Sequence, residues 1–140
     1  LRIWIPNFNC GTYADVLVIN GEPEFNGDSA SALAELRTDE ILNPFLIVEV
    51  LSPSTEAYDF PAETLRERGE KFRKYRSLPS LQEYLLVSQT EPYLEQYYNS
   101  DRPHNTRWQW QVCDRLEQSI ILPSLNLELP MKEIYRRISF

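Results

Sequence analysis

Apolar residues along the chain fall into short runs punctuated by proline and polar turns, a pattern that predicts many short strands and few helices. Leu1 to Ile5 reads as a strand ending at Pro6, and Asn7 to Thr12 as a glycine-containing loop. In Tyr13 to Ile19, Ala14, Val16 and Val18 alternate with Asp15, Leu17 and Ile19, which predicts a strand apolar on both faces with Asp15 as its one charge. Asn20-Gly21 is a strong turn pair leading into a polar stretch through Asp28. Ser29 to Leu42, rich in alanine and leucine, predicts a short helix stopped by Asn43-Pro44.

The run Phe45 to Leu51 is apolar except at Glu49 and is bounded by Pro44 and Pro53, so it reads as a strand buried on both faces. A carboxylate there is unfavourable by several kcal/mol, on the order given by transfer data, unless a cation, a metal or hydrogen-bond donors receive it or it takes up a proton. A core arginine or a functional site both satisfy that demand.

A helix is predicted from about Pro61 to Leu78, with proline in its first turn, Glu63 at its positive end and Pro79 just beyond. Gly69 is its weak point. At roughly 100° per residue, Leu65, Phe72, Tyr75 and Leu78 form one apolar sector. Lys71 falls inside that sector and Arg68 points into it, whereas Arg73 and Lys74 point away. Lys71 is therefore a candidate partner for Glu49.

Gln82 to Ser88, Pro92 to Tyr98, Arg107 to Cys113 and Ser119 to Leu122 read as strands of a meander or hairpins, and Pro130 to Arg137 as a closing helix. Trp108 and Trp110 with Tyr97 and Tyr98 are either aromatic cross-strand pairs or a stacking platform for bases. His104 sits in a polar turn, where solvation is its expected role.

Composition narrows the classes. The 140 residues, 42% hydrophobic and 25% charged, are in the range of one globular unit, with no repeat or low-complexity tract. No apolar run approaches the roughly 20 residues of a membrane span and no leader is present, so a soluble, cytoplasmic protein without a membrane partner is expected. Cys10 and Cys113 have no metal-type spacing and there is one histidine, which argues against zinc and for free thiols. A net charge of -7 argues against a sequence-indifferent nucleic-acid coat. The cations nevertheless cluster: Arg66, Arg68, Lys71, Arg73, Lys74 and Arg76 lie in one short segment, interleaved with Glu63, Glu67 and Glu70.

The segments Tyr13-Ala-Asp-Val16, Leu46-Ile-Val-Glu-Val-Leu-Ser-Pro-Ser-Thr55, Tyr58-Asp59, Gly69-Glu-Lys-Phe-Arg-Lys-Tyr75 and Glu83-Tyr-Leu-Leu-Val87 closely resemble a large bacterial family of restriction-endonuclease-like proteins. The resemblance covers nearly the whole chain, and Glu-Val-Leu-Ser-Pro-Ser-Thr is its specific part. It implies an α/β restriction-endonuclease-like fold, a mixed sheet flanked by helices, across a single domain of residues 1–140. Because the chain starts at Leu1, an N-terminal part of that domain is expected to be missing. The resemblance also implies a PD-(D/E)xK-type nuclease site, with Asp15 and Glu49 as acids and the Val50 carbonyl as a further metal ligand. Lys71 would be the catalytic cation, with Asp59, Arg68 and Tyr75 in support.

The sequence departs from that pattern in three places. Ala14 replaces the usual proline, Leu51 stands where the general motif has lysine, and Phe60 to Glu67 and Ser29 to Leu36 look like insertions. Lys71, on the next helix, matches the position from which such families supply a migrated lysine.

The implied chemistry suits the residue types. Mg²⁺, or Mn²⁺, binds sites with few carboxylates and several waters, polarises a phosphoryl oxygen and lowers the pKa of water. Arg73, Lys74 and Arg76 are expected to contact the DNA backbone. A homodimer is expected as well, since cutting both strands takes two copies of one site. The rival readings are a catalytically inactive DNA-binding or regulatory module on the same fold, and a metal-free hydrolase using Asp15 and Glu49 as an acid/base pair.

Overall fold

The computed structural model describes residues 1–27, 40–51, 62–102 and 104–140. The helix predicted from Ser29 lies almost wholly outside them. Of that stretch the structure holds residues 40–42, which are not helical, and Glu40–Ile41 is a strand, β4.

The centre is a five-stranded mixed sheet in the order β3-β5-β6-β7-β8, formed by Val16–Ile19, Pro44–Val50, Glu83–Val87, Leu94–Tyr98 and Gln109–Cys113. β5 pairs antiparallel with β3 and parallel with β6, and the parallel pairing requires a crossover. Helix α1, Ala62–Tyr75, lies in that crossover. β6, β7 and β8 then form the antiparallel meander that alternation predicts. A small sheet, β2-β1-β4, is built from Cys10–Thr12, Arg2–Ile5 and β4, so the end of the predicted glycine loop is a strand. β9, Ser119–Leu122, makes a hairpin with β10, Leu127–Pro130, and a short helix α2, Met131–Ile134, follows.

Side chains alternate across a strand, so the two faces of β5 belong to different cores. Ile47 and Leu51 pack with Tyr75, Leu78, Leu81, Tyr84 and Leu86 on the α1 side. Leu46 packs with Leu85, Leu94, Ile120 and Met131 beneath the β9-β10 hairpin and α2. Glu49 has the parity of Ile47 and Leu51, so the pleat carries its carboxylate toward α1. Across the sheet Glu49 pairs with Leu86, and Leu86 with Glu95, which places two carboxylates in one row under the helix.

The face of α1 over that row is Arg68, Lys71, Phe72 and Tyr75, the i, i+3, i+4, i+7 stripe of an amphipathic helix. Phe72 is its packing centre. Its ring stacks on Tyr84 at 5.4 Å, tilts against Tyr97 at 4.5 Å and meets Trp108 edge-on at 5.4 Å. Tyr97 thus serves packing, the first of the two readings of the aromatic strands, while Trp108 packs against Phe72 but is only half-buried and Trp110 on edge strand β8 stays 58% exposed.

Candidate active site

Glu49 is buried, and both of its described polar contacts fall on one oxygen. The Lys71 ammonium lies 2.8 Å from Oε1, and the Tyr75 hydroxyl donates to the same atom at 2.7 Å. A lysine and a tyrosine, rather than a core arginine, thus answer the charge. Lys71 and Tyr75 are i and i+4 on α1, which stacks them on one face, and the ammonium also lies 5.9 Å from the Tyr75 ring centre. Burial raises the pKa of the Tyr75 phenol, with further upward pushes from the charge of Glu49 and the hydrogen bond to it. It therefore remains a donor. The Thr12 side chain, on β2, opposes part of that rise.

Asp15 is not on a buried strand. β3 begins only at Val16, and Asp15 is an exposed residue just before it. The cause is visible in the ladder. Leu51 N–H donates to the Val87 carbonyl on the β6 side, so the N–H of Val50 points the other way. There β3 has not yet begun, and the Asp15 carboxylate takes that N–H through Oδ2 at 2.7 Å. The two acids accordingly meet at one strand end, Asp15 bonded to the residue that follows Glu49. In an antiparallel ladder a residue's N–H and C=O point to the same side, so the Val50 carbonyl also faces Asp15.

Glu49 Oε2 and Asp15 Oδ1 have no hydrogen-bond partner among the described residues. With the Val50 carbonyl they are the oxygens left unengaged at this end of β5, two from carboxylates and one from the backbone. Among the described residues no group of three or more His, Cys, Asp or Glu is arranged to hold a metal. A sparse set of hard oxygens fits Mg²⁺, which keeps several of its waters, better than zinc or calcium.

The remaining candidates separate. Arg68 is 3.2 Å from Glu95 Oε1. Glu95 also accepts from the Tyr93 and Tyr97 hydroxyls at 2.8 and 3.1 Å, and burial, with that carboxylate's charge, pushes the Tyr97 phenol up to about 12. This second acid, on alternating strand β7, is missed by a sequence reading because a half-polar strand is expected to carry it. Arg73 lies 3.7 Å from Glu70 and 5.1 Å from the Phe8 ring centre, and Arg76 lies over Phe72 at 5.6 Å. Lys74 is not simply solvent-facing: it is half-buried and, with Cys10, Thr12, Lys71 and Tyr75, lines a cavity of about 340 Å³ between β2 and α1. Asp59 lies outside the described residues. Cys10 and Cys113 are free thiols, and His104 is exposed.

Comparison with known proteins agrees with this architecture. The profile of the Uma2 family, described as "Putative restriction endonuclease", matches residues 1–132. An uncharacterized Synechocystis sp. protein, slr1290, is 44% identical over 103 residues, 74% of this chain and 48% of its own length. A second, sll1609, is 39% identical over 89 residues, 64% of this chain and 41% of its own. The chain thus spans less than half the length of these curated relatives. A solved structure from Anabaena variabilis, titled as a putative nuclease belonging to DUF820, superposes with a TM-score of 0.56 at 19% identity, over 96% of this chain and 64% of that one. The fold is restriction-endonuclease-like. No described helix is long and apolar enough to cross a membrane.

Proposed function

The chain belongs to the Uma2 family of restriction-endonuclease-like proteins, and from that premise we propose that it is a metal-dependent DNA endonuclease with Asp15, Glu49 and Lys71 as its working residues. The observation that carries the reading is the convergence on one strand end of a buried carboxylate held by Lys71 and Tyr75 with a second carboxylate bonded to the next backbone amide.

Asp15, Glu49 and the Val50 carbonyl are the residues that would hold Mg²⁺ or Mn²⁺. When bound, that ion supplies Lewis-acid polarisation of the phosphoryl oxygen and a water of lowered pKa. Tyr75 keeps one oxygen of Glu49 engaged and so directs the other outward. Lys71, 41% exposed at its side chain, offsets the carboxylate charge and is the cation available to stabilise charge developing on the phosphate. Pairing of two such sites in a homodimer is part of the proposal. Edge strand β8, with exposed Trp110, is the proposed contact, and light scattering that gives only monomer at tens of micromolar would remove it.

The deciding experiment is cleavage of supercoiled, linear and single-stranded DNA by the full-length protein with Mg²⁺ or Mn²⁺. Activity lost in Asp15→Asn and in Glu49→Gln, and slowed by orders of magnitude in Lys71→Ala, supports the reading. No cleavage of any form, or Lys71→Ala cutting like its parent, sinks it. The inactive DNA-binding module then takes its place, favoured by the direct Glu49–Lys71 pairing, which a purely structural contact also explains.

A further inference from the structure

Beyond the carboxylates, the largest concentration of cationic side chains among the described residues lies at the C-terminal end of α1. A cavity of about 500 Å³ there is lined by Arg73, Arg76, Arg102, Asn105 and Trp108, with no acid among the described residues of its wall. Arg102 is built into place. Its guanidinium donates to the carbonyls of Arg76 and Leu78, both at 2.9 Å, and lies 5.3 Å from the Trp108 ring centre. Those two bonds use two of its five N–H donors. Among the described residues no carboxylate pairs with Arg76 or Arg102, and the partner of Arg73, Glu70, is 3.7 Å away on the exposed surface. Three guanidinium groups share one cavity in a chain of net charge -7, and among the described residues only Arg73 of the three has a carboxylate partner.

We propose that this cavity holds a backbone phosphate of a nucleic-acid strand, with Arg73, Arg76 and Arg102 as its ligands and the Trp108 indole as a wall for the adjoining sugar or base. Guanidinium forks suit phosphate oxygens, and an aromatic face suits the nucleoside next to them. A strand is favoured over a lone anion because the wall beside the three guanidinium groups is the Trp108 indole, which a nucleoside uses and a free phosphate does not. Lys74, which lines the opposite cavity, is not part of this site. The inference rests on the nuclease reading only for its choice of ligand.

The test is fluorescence anisotropy of a labelled single-stranded oligonucleotide and its duplex with the full-length protein, without divalent metal, over a range of KCl concentrations. Arg76→Gln and Arg102→Gln are each expected to weaken binding about tenfold and to reduce the salt slope by roughly one. Arg102→Gln also removes the bonds to two helix-end carbonyls. Arg76→Gln, which among the described residues removes a stacking contact on Phe72 and no hydrogen bond of the side chain, keeps the test decisive if that variant folds poorly. Parental affinity and slope in Arg76→Gln overturn the proposal. So does protection of the parent, but not of Arg76→Gln, by pyrophosphate in a thermal melt when oligonucleotide binding is unchanged, which assigns the cavity to a free anion. A parent that binds through these arginines but never cuts leaves this site standing and removes the nuclease reading. A parent that cuts through Asp15, Glu49 and Lys71 while the arginine variants bind normally does the reverse.

Discussion

The hydroxyl of Tyr75 and the carboxylate of Glu49 are bonded at 2.7 Å, on the same oxygen that Lys71 approaches at 2.8 Å. The bond is buried and charge-assisted, a class worth about 1.5–3 kcal/mol. Tyr75→Phe keeps the ring packing against Tyr84 and removes only the donor. Chemical denaturation is expected to report a loss within that range, and cleavage is expected to slow because Glu49 is then held by Lys71 alone of these two partners. A positioning role predicts that the DNA affinity of Tyr75→Phe stays parental, and a large drop in affinity counts against it.

Divalent metal is expected to stabilise the folded protein. A ligand that binds only the native state adds about 2.7 kcal/mol at one hundred times its dissociation constant. Several degrees in the melting midpoint should follow with millimolar Mg²⁺ or Mn²⁺. Asp15 is exposed and Glu49 is paired with Lys71, so relief of repulsion between two buried acids is not the source of the gain; new coordination is. Asp15→Asn should therefore abolish the shift while barely changing the metal-free midpoint. A shift of full size in that variant excludes Asp15 as a ligand.

Burial, followed by the charge of Glu49, raises the pKa values of both Tyr75 and Tyr84 above the ordinary value. The sign follows from the protons bound. Above pH ~10 the unfolded chain loses these protons while the native state keeps them, so their contribution is complete below that pH and is lost as pH rises. Two such groups give a slope of roughly 3 kcal/mol per pH unit. Urea midpoints should fall steeply between about pH 10 and 11, and the fall should be shallower in Tyr75→Phe. Equal slopes in the two proteins refute the assignment.

Gly69 sits inside α1, and a Cβ built there meets nothing within 4 Å. Gly69→Ala should raise stability by about 0.5–1 kcal/mol, the usual helix-interior difference, without loss of cleavage. A loss of activity with normal folding would mean that substrate approaches the helix backbone there.

The arrangement of Glu49 under α1 is legible in the sequence because two periodicities agree on it. The strand period of two puts Glu49 with Ile47 and Leu51, and the helical period puts Lys71 with Phe72 and Tyr75, so each element declares its buried face locally. Asp15 is misread because the alternation from Tyr13 to Ile19 carries no sign of where pairing starts. That is decided by the register of Val16 opposite Val48 and by a side chain, not a carbonyl, receiving the Val50 amide. Likewise β2 reads as a loop since Gly11 interrupts it and its pairing with β1 is tertiary information. Arg102 gives no local signal at all, because its helix-end carbonyls belong to residues more than twenty positions earlier.

Glu83 provides the complementary case, a buried acid that serves the scaffold. It is 0% exposed, on the face of the sheet opposite α1. Its carboxylate accepts from Ser124 N–H at 2.6 Å and from the Gln96 amide at 3.0 Å, and Gln96 in turn donates to the Ile121 carbonyl at 2.8 Å and accepts from Gln111. These bonds tie the β9-β10 hairpin to the central sheet. Glu83→Ala strands the Ser124 amide and leaves a void, a combination expected to cost about 2–4 kcal/mol. Ser124→Ala should be neutral or slightly stabilising, since the serine hydroxyl is buried with no hydrogen-bond partner among the described residues and its N–H is retained. Below its lowered midpoint Glu83→Ala should cleave at the parental rate. If it folds and is inactive, the acid on this face belongs to the working site and the division between the two carboxylates is wrong.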